Sequence, residues 1–233
     1  MTGEESNIVR FSAWAPGVGS ADEWDEWARG KRSICPGARG PEISFTEPMF
    51  RRRLSRISKM TVQVVHDLLP LGENTKIIFL SFRGEHNRQF QVNKTLIEEK
   101  SVSPAAFSLS VYNTPVALAT IAFGLKGGYT ALYPGNDSFA SGLKAAEAAL
   151  FSGSAAELLF VYADEEEPAE FECFLECPPP AAFGLLLSRT PKPSSVPLSS
   201  VKADEDSPLA FLKSLLLCGK LKPCFTGDVH ASP

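Results

Sequence analysis

This chain of 233 residues has few histidines, no long apolar run and no excess of basic charge. Three histidines leave little scope for histidine-based catalysis. The apolar runs are far shorter than the roughly 18 residues that a membrane helix needs. With 23 basic and 27 acidic residues the net charge is -4, which argues against nucleic acid as the main partner because that binding depends on neutralised phosphates. The cysteine count of five is odd and the first residues lack a signal peptide's apolar segment, so we expect a reducing, cytoplasmic setting.

The composition is that of an ordinary globular protein. Apolar residues make up 44% of the chain and charged residues 21%, which excludes a disordered chain. The length suits one large domain or two small ones. We predict a main domain over residues 1–190, followed by a linker, a short helix and a frayed tail over residues 191–233.

Strand and helix patterns alternate through the middle of the chain. Apolar, β-rich segments predict strands at Lys76–Phe82, Tyr129–Tyr133 and Glu157–Tyr162, which we expect to form the core. A helix is predicted between each pair of strands. Strand, helix and strand joined by short turns indicate a βαβ unit. The predicted class is therefore α/β, with a mainly parallel sheet flanked by helices.

Two helices have further signals. Arg51, Arg52 and Arg53 open an apolar stripe that ends near Pro70, and such a basic run is usually a solvated helix face. Thr114 is a plausible N-cap with Pro115 at the first helical position. The apolar sequence that follows predicts a helix buried on every side, ending at Gly124.

The residues alone identify no reaction. Ser138, at a strand–turn–helix joint, is a candidate nucleophile, but its surroundings lack the G-x-S-x-G pattern and capping of the helix is the favoured role. The two cysteine pairs, Cys173 with Cys177 and Cys218 with Cys224, lack zinc spacing and are expected to be buried thiols. The acidic run at residues 164–167 lacks the pattern of a calcium loop and is expected to be solvated. We expect no metal and no cofactor.

The segment from Ser101 to Pro168 resembles the N-terminal half of a β-ketoacyl synthase. The matching features are a Ser-Pro pair, an Asn-containing loop, a buried helix, a G-L-K-G turn, a strand into the nucleophile turn, a helix and a further strand. In this chain they are Ser103-Pro104, Asn113, the helix after Thr114, Gly124–Gly127, Tyr129–Tyr133 and Glu157–Tyr162. The resemblance extends loosely back to the helix at Arg51–Met60. It implies a thiolase-like half-fold.

The chain departs from that family at the reacting groups. The position of the family's nucleophilic cysteine falls on Asn136 or Gly135, and neither can form an acyl-accepting thiolate. The family's active-site histidines and lysine belong to a C-terminal half for which this sequence has no room. The resemblance therefore implies no enzyme by itself, and no catalytic residue.

In this respect the chain is similar to chain-length factors, the inactive paralogues that pair with an active ketosynthase in type II polyketide and aryl-polyene or flexirubin-type pathways. That likeness implies a heterodimer with a ketosynthase, to which acyl carrier protein delivers the chain in a fatty-acid-like elongation. The implied interface and acyl-tunnel residues are Ala105, Ala106, Phe107, Tyr112, Asn113, Tyr129 and Tyr133. Two small alanines after the Ser-Pro pair would leave a deep tunnel.

Two alternatives remain open at this point. The chain could be a serine acyltransferase or hydrolase that uses Ser138 or Ser141. It could also be a free-standing acyl-binding or regulatory protein without a ketosynthase partner.

Overall fold

The computed structural model describes residues 5–35, 39–135, 138–171 and 178–225. Within them, six strands form one sheet: β1 Asn7–Trp14, β2 Lys76–Leu80, β3 Tyr129–Leu132, β4 Glu157–Asp164, β5 Ala181–Ser188 and β6 Val196–Pro197. Eight helices accompany the sheet: α1 Ala21–Ala28, α2 Pro48–Arg51, α3 Arg56–Asp67, α4 His86–Glu99, α5 Pro104–Ser108, α6 Thr114–Phe123, α7 Phe139–Ser152 and α8 Pro208–Leu217. None of these helices is long and apolar enough to cross a bilayer.

The sheet has the order β3-β2-β4-β5-β1-β6. Strand β2 is parallel to both β3 and β4, which confirms the predicted βαβ unit. The pairings of β4 with β5, β5 with β1 and β1 with β6 are antiparallel. The α/β class is thus confirmed. The predicted mainly parallel sheet is also confirmed, because β1, β2, β3 and β4 all run in one direction. Strands β5 and β6 run in the opposite direction, so the sheet as a whole is mixed.

Alternating side chains of the central strands fill two cores. In β2, Ile78 and Leu80 face a core shared with α1, α7 and α8. Ile77 and Phe79 face the opposite core, which contains α3 and α6. Because successive side chains of a strand point to opposite faces, a strand covered on both sides is apolar throughout. The prediction for β2 and β4 as buried strands is confirmed.

Strand β3 differs from that prediction. It lies at the edge of the sheet, and all four of its residues are only half-buried. The predicted strand is present, but it borders the cores without being buried in them: Leu132 packs against one core, and Tyr129 and Ala131 against the other. The sequence of a short apolar strand does not distinguish an edge position from a central one.

Three helix predictions also need correction. The basic run ends one helix and does not open the next: Arg51 is the last residue of α2. Helix α3 starts later, where Ser55 caps it by accepting a hydrogen bond from the Ser58 amide at 3.1 Å. Thr114 is the first residue of α6, and the preceding residue makes no side-chain cap. The helix is not buried on every side, since Ile121 is 68% exposed.

The segment after residue 190 joins the same sheet and core. Val196 in β6 pairs with Ile8 in β1 and is buried, although a linker was predicted there. The predicted final helix is confirmed as α8, and its Phe211, Leu212 and Leu215 pack in the core beside α7.

Candidate functional site

The exposed edge of β3 is one side of the candidate site. Within the described residues β3 pairs with β2 on one side only. An edge strand leaves a row of backbone donors and acceptors available for pairing with another chain. Tyr133, directly after the strand, is 62% exposed. Such an edge is suited to strand addition.

Tyr112 anchors the loop before α6 to the carboxyl ends of β2 and β3. Its hydroxyl lies between the carbonyl oxygens of Ser81 and Leu132, at 2.5 Å from the latter, and accepts a hydrogen bond from the Ser81 amide at 3.2 Å. Burial raises the pKa of Tyr112 well above its usual range, so the hydroxyl stays protonated. Gly84 makes room for the ring, because a Cβ there would lie 2.5 Å from Tyr112 Cδ2.

The next residue continues this anchor. Asn113 Nδ2 donates a hydrogen bond to the Tyr129 hydroxyl at 2.8 Å. Three of the predicted interface residues, Tyr112, Asn113 and Tyr129, are therefore brought together at the sheet edge. Their hydrogen bonds hold the chain between α5 and α6 against β3.

The three residues of helix α5 that were predicted to lie at the interface or the tunnel point in two directions. Ala105 and Ala106 line an open cavity of about 610 Å³, whose other walls come mainly from α2, α4 and α6. Phe107 is not among the lining residues and is 60% exposed on the surface. The three residues therefore belong to two features, a cavity and an apolar surface.

The turn after β3 has no nucleophile in its described part. Gly135 is exposed, and Asn136 lies outside the described residues. Ser138 caps α7, as predicted: its Oγ accepts a hydrogen bond from the Ser141 amide at 3.2 Å and donates one to Asp206 Oδ2 at 2.6 Å. Asp206 Oδ1 also accepts from the Ala140 amide at 2.7 Å. A carboxylate already occupies this helix N-terminus, where the helix dipole favours negative charge.

The acidic run after β4 is buried, which corrects the expectation of a solvated loop. Asp164 accepts hydrogen bonds from Ser81 Oγ at 2.6 Å and from the Phe82 and Arg83 amides at 2.9 and 3.0 Å. Burial raises the pKa of Asp164 to about 6. Strand β4 thus fixes the loop that follows β2, and the side chain acts as a structural acceptor.

Ion pairs continue this network. Glu167 accepts a hydrogen bond from Arg83 Nε at 2.5 Å and contacts His86 Nδ1. Glu166 pairs with Arg56. Sequence reasoning missed these pairs because the partners are some 80 to 110 positions away along the chain. The described part of the chain contains no group of three or more His, Cys, Asp or Glu side chains placed to hold a metal.

The cysteines take no part in the site as described. Cys218 is exposed, so the prediction of burial is wrong for this residue, and Cys224 is half-buried. Cys173 and Cys177 lie outside the described residues.

This arrangement defines a thiolase-like half-fold of the ketosynthase type, and the comparisons with known proteins agree. Residues 24–213 match the family model described as "Beta-ketoacyl synthase, N-terminal domain". The chain belongs to this family, as its sequence resemblance predicted. No curated protein matches the chain.

Several solved structures are similar. One is "Ketosynthase (ApeO) in Complex with its Chain Length Factor (ApeC) from Xenorhabdus doucetiae", at 28% identity and a TM-score of 0.74, with 91% of each chain covered. A second is the ishigamide ketosynthase/chain length factor, at 17% identity and a TM-score of 0.65, covering 83% of this chain and 64% of that one. A third is AntDE:AntF, a type II acyl-carrier protein in complex with its ketosynthase, at 14% identity and a TM-score of 0.60, covering 79% and 63%. The last two support the fold alone.

Proposed function

We propose that this chain is a non-catalytic, chain-length-factor-type subunit that pairs with an active type II β-ketoacyl synthase and shapes its acyl tunnel. The partner would contribute the cysteine, and acyl carrier protein would deliver the growing chain to the complex. The product class would be a fatty-acid-like polyketide or aryl polyene made in the cytoplasm.

The turn after β3 carries this proposal. A condensing enzyme needs a thiolate to hold the acyl chain. Neither Gly135 nor Asn136 has a thiol. The helix that follows is capped by Ser138 and Asp206, which leaves its N-terminal amides engaged with the chain's own carboxylate. A ketosynthase-type domain without this reactive group is suited to a supporting role.

The similarity to a ketosynthase in complex with its chain length factor supports the same role. Coverage of 91% in both directions means that the matched chain is about as short as this one. A short chain of this fold therefore occurs inside such a complex.

The apolar surface at the sheet edge supports pairing with a second chain. Phe107 and Tyr133 are both more than half exposed, and the outer edge of β3 is open among the described residues. Tyr112 and Asn113 make the loop between α5 and α6 rigid, which lowers the ordering cost of association. We assign the interface to this edge.

The cavity beside α5 supports an influence on chain length. Ala105 and Ala106 are small, and the space next to them is about 610 Å³. A tunnel that reaches this cavity would accept a long chain. Larger side chains at these two positions would shorten it.

The serine-enzyme alternative has no support from the geometry. Ser138 donates its hydrogen bond to Asp206, and Ser141 Oγ donates to the Ser138 carbonyl at 2.7 Å. The two histidines of the described residues, His66 and His86, stack on Phe45 and Phe171, and neither bonds to these serines. A serine nucleophile needs an adjacent base.

Pairing is tested by co-expression with a type II ketosynthase from the same genome, followed by size-exclusion chromatography and intact mass. We expect a stable one-to-one complex. Phe107→Asp should abolish co-elution. Leu217→Asp, which places the same charge on an exposed apolar position of α8, should not. A stable monomer that does not co-elute with the ketosynthase would contradict the proposal.

Tunnel length is tested with Ala106→Phe in the reconstituted complex. We expect shorter products by mass spectrometry. Ala148→Phe on the exposed face of α7 is the matched control, and its product should equal that of the wild type. Unchanged product length in Ala106→Phe, with the complex intact, would count against tunnel shaping.

A further inference from the structure

The cavity beside α5 is open to solvent on one side and is lined mainly by apolar side chains. Phe50, Val92, Leu109, Leu118 and Ile121 contribute to its wall. Its volume of about 610 Å³ lies within the usual range for small-molecule sites. The five side chains come from α2, α4, the loop after α5, and α6, so the cavity belongs to the folded chain and does not depend on one mobile loop.

Two arginines and no acidic residue line this cavity. The Arg88 guanidinium is held by contacts within the chain. It donates hydrogen bonds to the Arg53 carbonyl at 2.7 Å and to the Leu109 carbonyl at 3.3 Å, and it lies 3.7 Å from the Glu85 carboxylate. The Arg53 side chain is exposed and makes no hydrogen bond or ion pair within the described residues. Arg88 therefore fixes the Arg53 backbone at the rim and leaves the Arg53 guanidinium available.

We propose that this cavity binds the hydrocarbon chain of a free long-chain carboxylic acid, with Arg53 pairing to the carboxylate at the rim. Burial of the hydrocarbon supplies most of the affinity, since the free energy gained grows with the apolar surface removed from water. A guanidinium binds a carboxylate through paired, charge-assisted hydrogen bonds. An apolar cavity with one available cation at its rim matches an amphipathic anion and disfavours a neutral lipid of the same length.

This inference goes beyond the chain-length role, because it concerns a free acid and residues of this chain alone. It rests on the proposed function only in taking an acyl chain as the apolar part. The carboxylate end is recognised by Arg53 whether or not a ketosynthase is bound.

The test uses cis-parinaric acid, a fluorescent polyene acid, titrated into the purified full chain. Where the chain is recovered only with its ketosynthase, the complex is used with the partner's thiol blocked by iodoacetamide. All variants lie in this chain, so binding by the partner itself cancels in the comparison. A saturated fatty acid and the alcohol of equal length then compete for the site.

Arg53→Gln should raise the Kd of the acid about fivefold, the value of one partly exposed ion pair, and leave the Kd of the alcohol unchanged. Arg52→Gln is the matched control, because Arg52 is exposed and lines a different cavity. Ala106→Phe should remove saturable binding, whereas Ala148→Phe should retain it. If Ala106→Phe does not fold, as judged by circular dichroism, Ala105→Val fills the same space and should weaken binding.

Equal affinities for the acid in Arg53→Gln and Arg52→Gln would overturn the inference, as would unchanged binding in the cavity-filling variant. The two proposals fail separately. A stable ketosynthase complex that binds no acid here retains the proposed function and rejects this inference. Arg53-dependent binding of the acid by a chain that forms no complex with any ketosynthase supports this inference and rejects the proposed function.

Discussion

Glu165 lies in a buried cluster with an unusual charge balance, which makes Glu165→Gln an informative substitution. The side chain is buried, and the nearby Glu85 charge disfavours its ionisation. Glu85 is itself held by hydrogen bonds from Ser55 and Ser58, both at 2.6 Å. Two carboxyl groups thus share a site of low polarity, and ionisation of either is disfavoured.

Burial, with the nearby Glu85 charge added, raises the pKa of Glu165 from 4.5 to about 7. The folded protein then holds this proton more tightly than the unfolded chain, so its stability falls as pH rises from about 4.5 to about 7 and is level above that. At 1.36 kcal/mol for each unit of pKa the full effect is about 3 kcal/mol. Asp164 acts in the same sense but titrates lower, near 6. His66 acts in the opposite sense, because burial lowers its pKa, and both effects cancel between wild type and variant.

The assay is urea denaturation of both proteins from pH 5 to 8, followed by the fluorescence of the buried Trp24. Glu165→Gln should be close to wild type at pH 5 and about 2 to 3 kcal/mol more stable at pH 8. The matched control is Glu166→Gln, which removes the neighbouring carboxylate and its pairing with Arg56. It should lower stability without this gain at high pH. Parallel pH profiles for wild type and Glu165→Gln would refute the reasoning.

Three further substitutions test other parts of the structure. Gly127→Ala should lower the free energy of unfolding by at least 2 to 3 kcal/mol, about the upper range for overpacking, because the new Cβ would lie 2.3 Å from the Thr75 carbonyl oxygen. The measurement is a thermal melt. Gly135→Ala is the control and should be nearly neutral, since a Cβ there has nothing within 4 Å. Tyr112→Phe should cost about 1 to 2 kcal/mol in urea denaturation, since the hydroxyl's contacts with the backbone of β2 and β3 are lost, and wild-type stability would show that the anchor is dispensable. Ser138→Ala should cost about 1 kcal/mol through loss of the cap, and labelling of Ser138 in the wild type by a fluorophosphonate probe would contradict a purely structural role.

Local signals predicted those parts of the fold that depend on short stretches of chain. Strands β2 and β4 were evident because a strand covered on both faces is apolar throughout. The cap at Ser138 was evident because a serine before a helix has a local partner three residues away. The absence of a thiol at Gly135 and Asn136 is likewise a matter of sequence alone.

Other features depend on which distant residues meet. The acidic run after β4 reads as solvated, yet Arg83 and Arg56 reach it from elsewhere in the chain and allow its burial. The apolar helix α6 reads as buried on every side, yet Ile121 is exposed because nothing among the described residues covers that face.

The family, the α/β class and the βαβ unit could be predicted from sequence, because motifs and periodicity are local properties. Three features follow from tertiary structure: β3 is an edge strand, Ala105 and Ala106 line a cavity while Phe107 does not, and the exposed Arg53 lines the same cavity. These properties depend on strand order and helix packing, which join segments that are far apart along the chain.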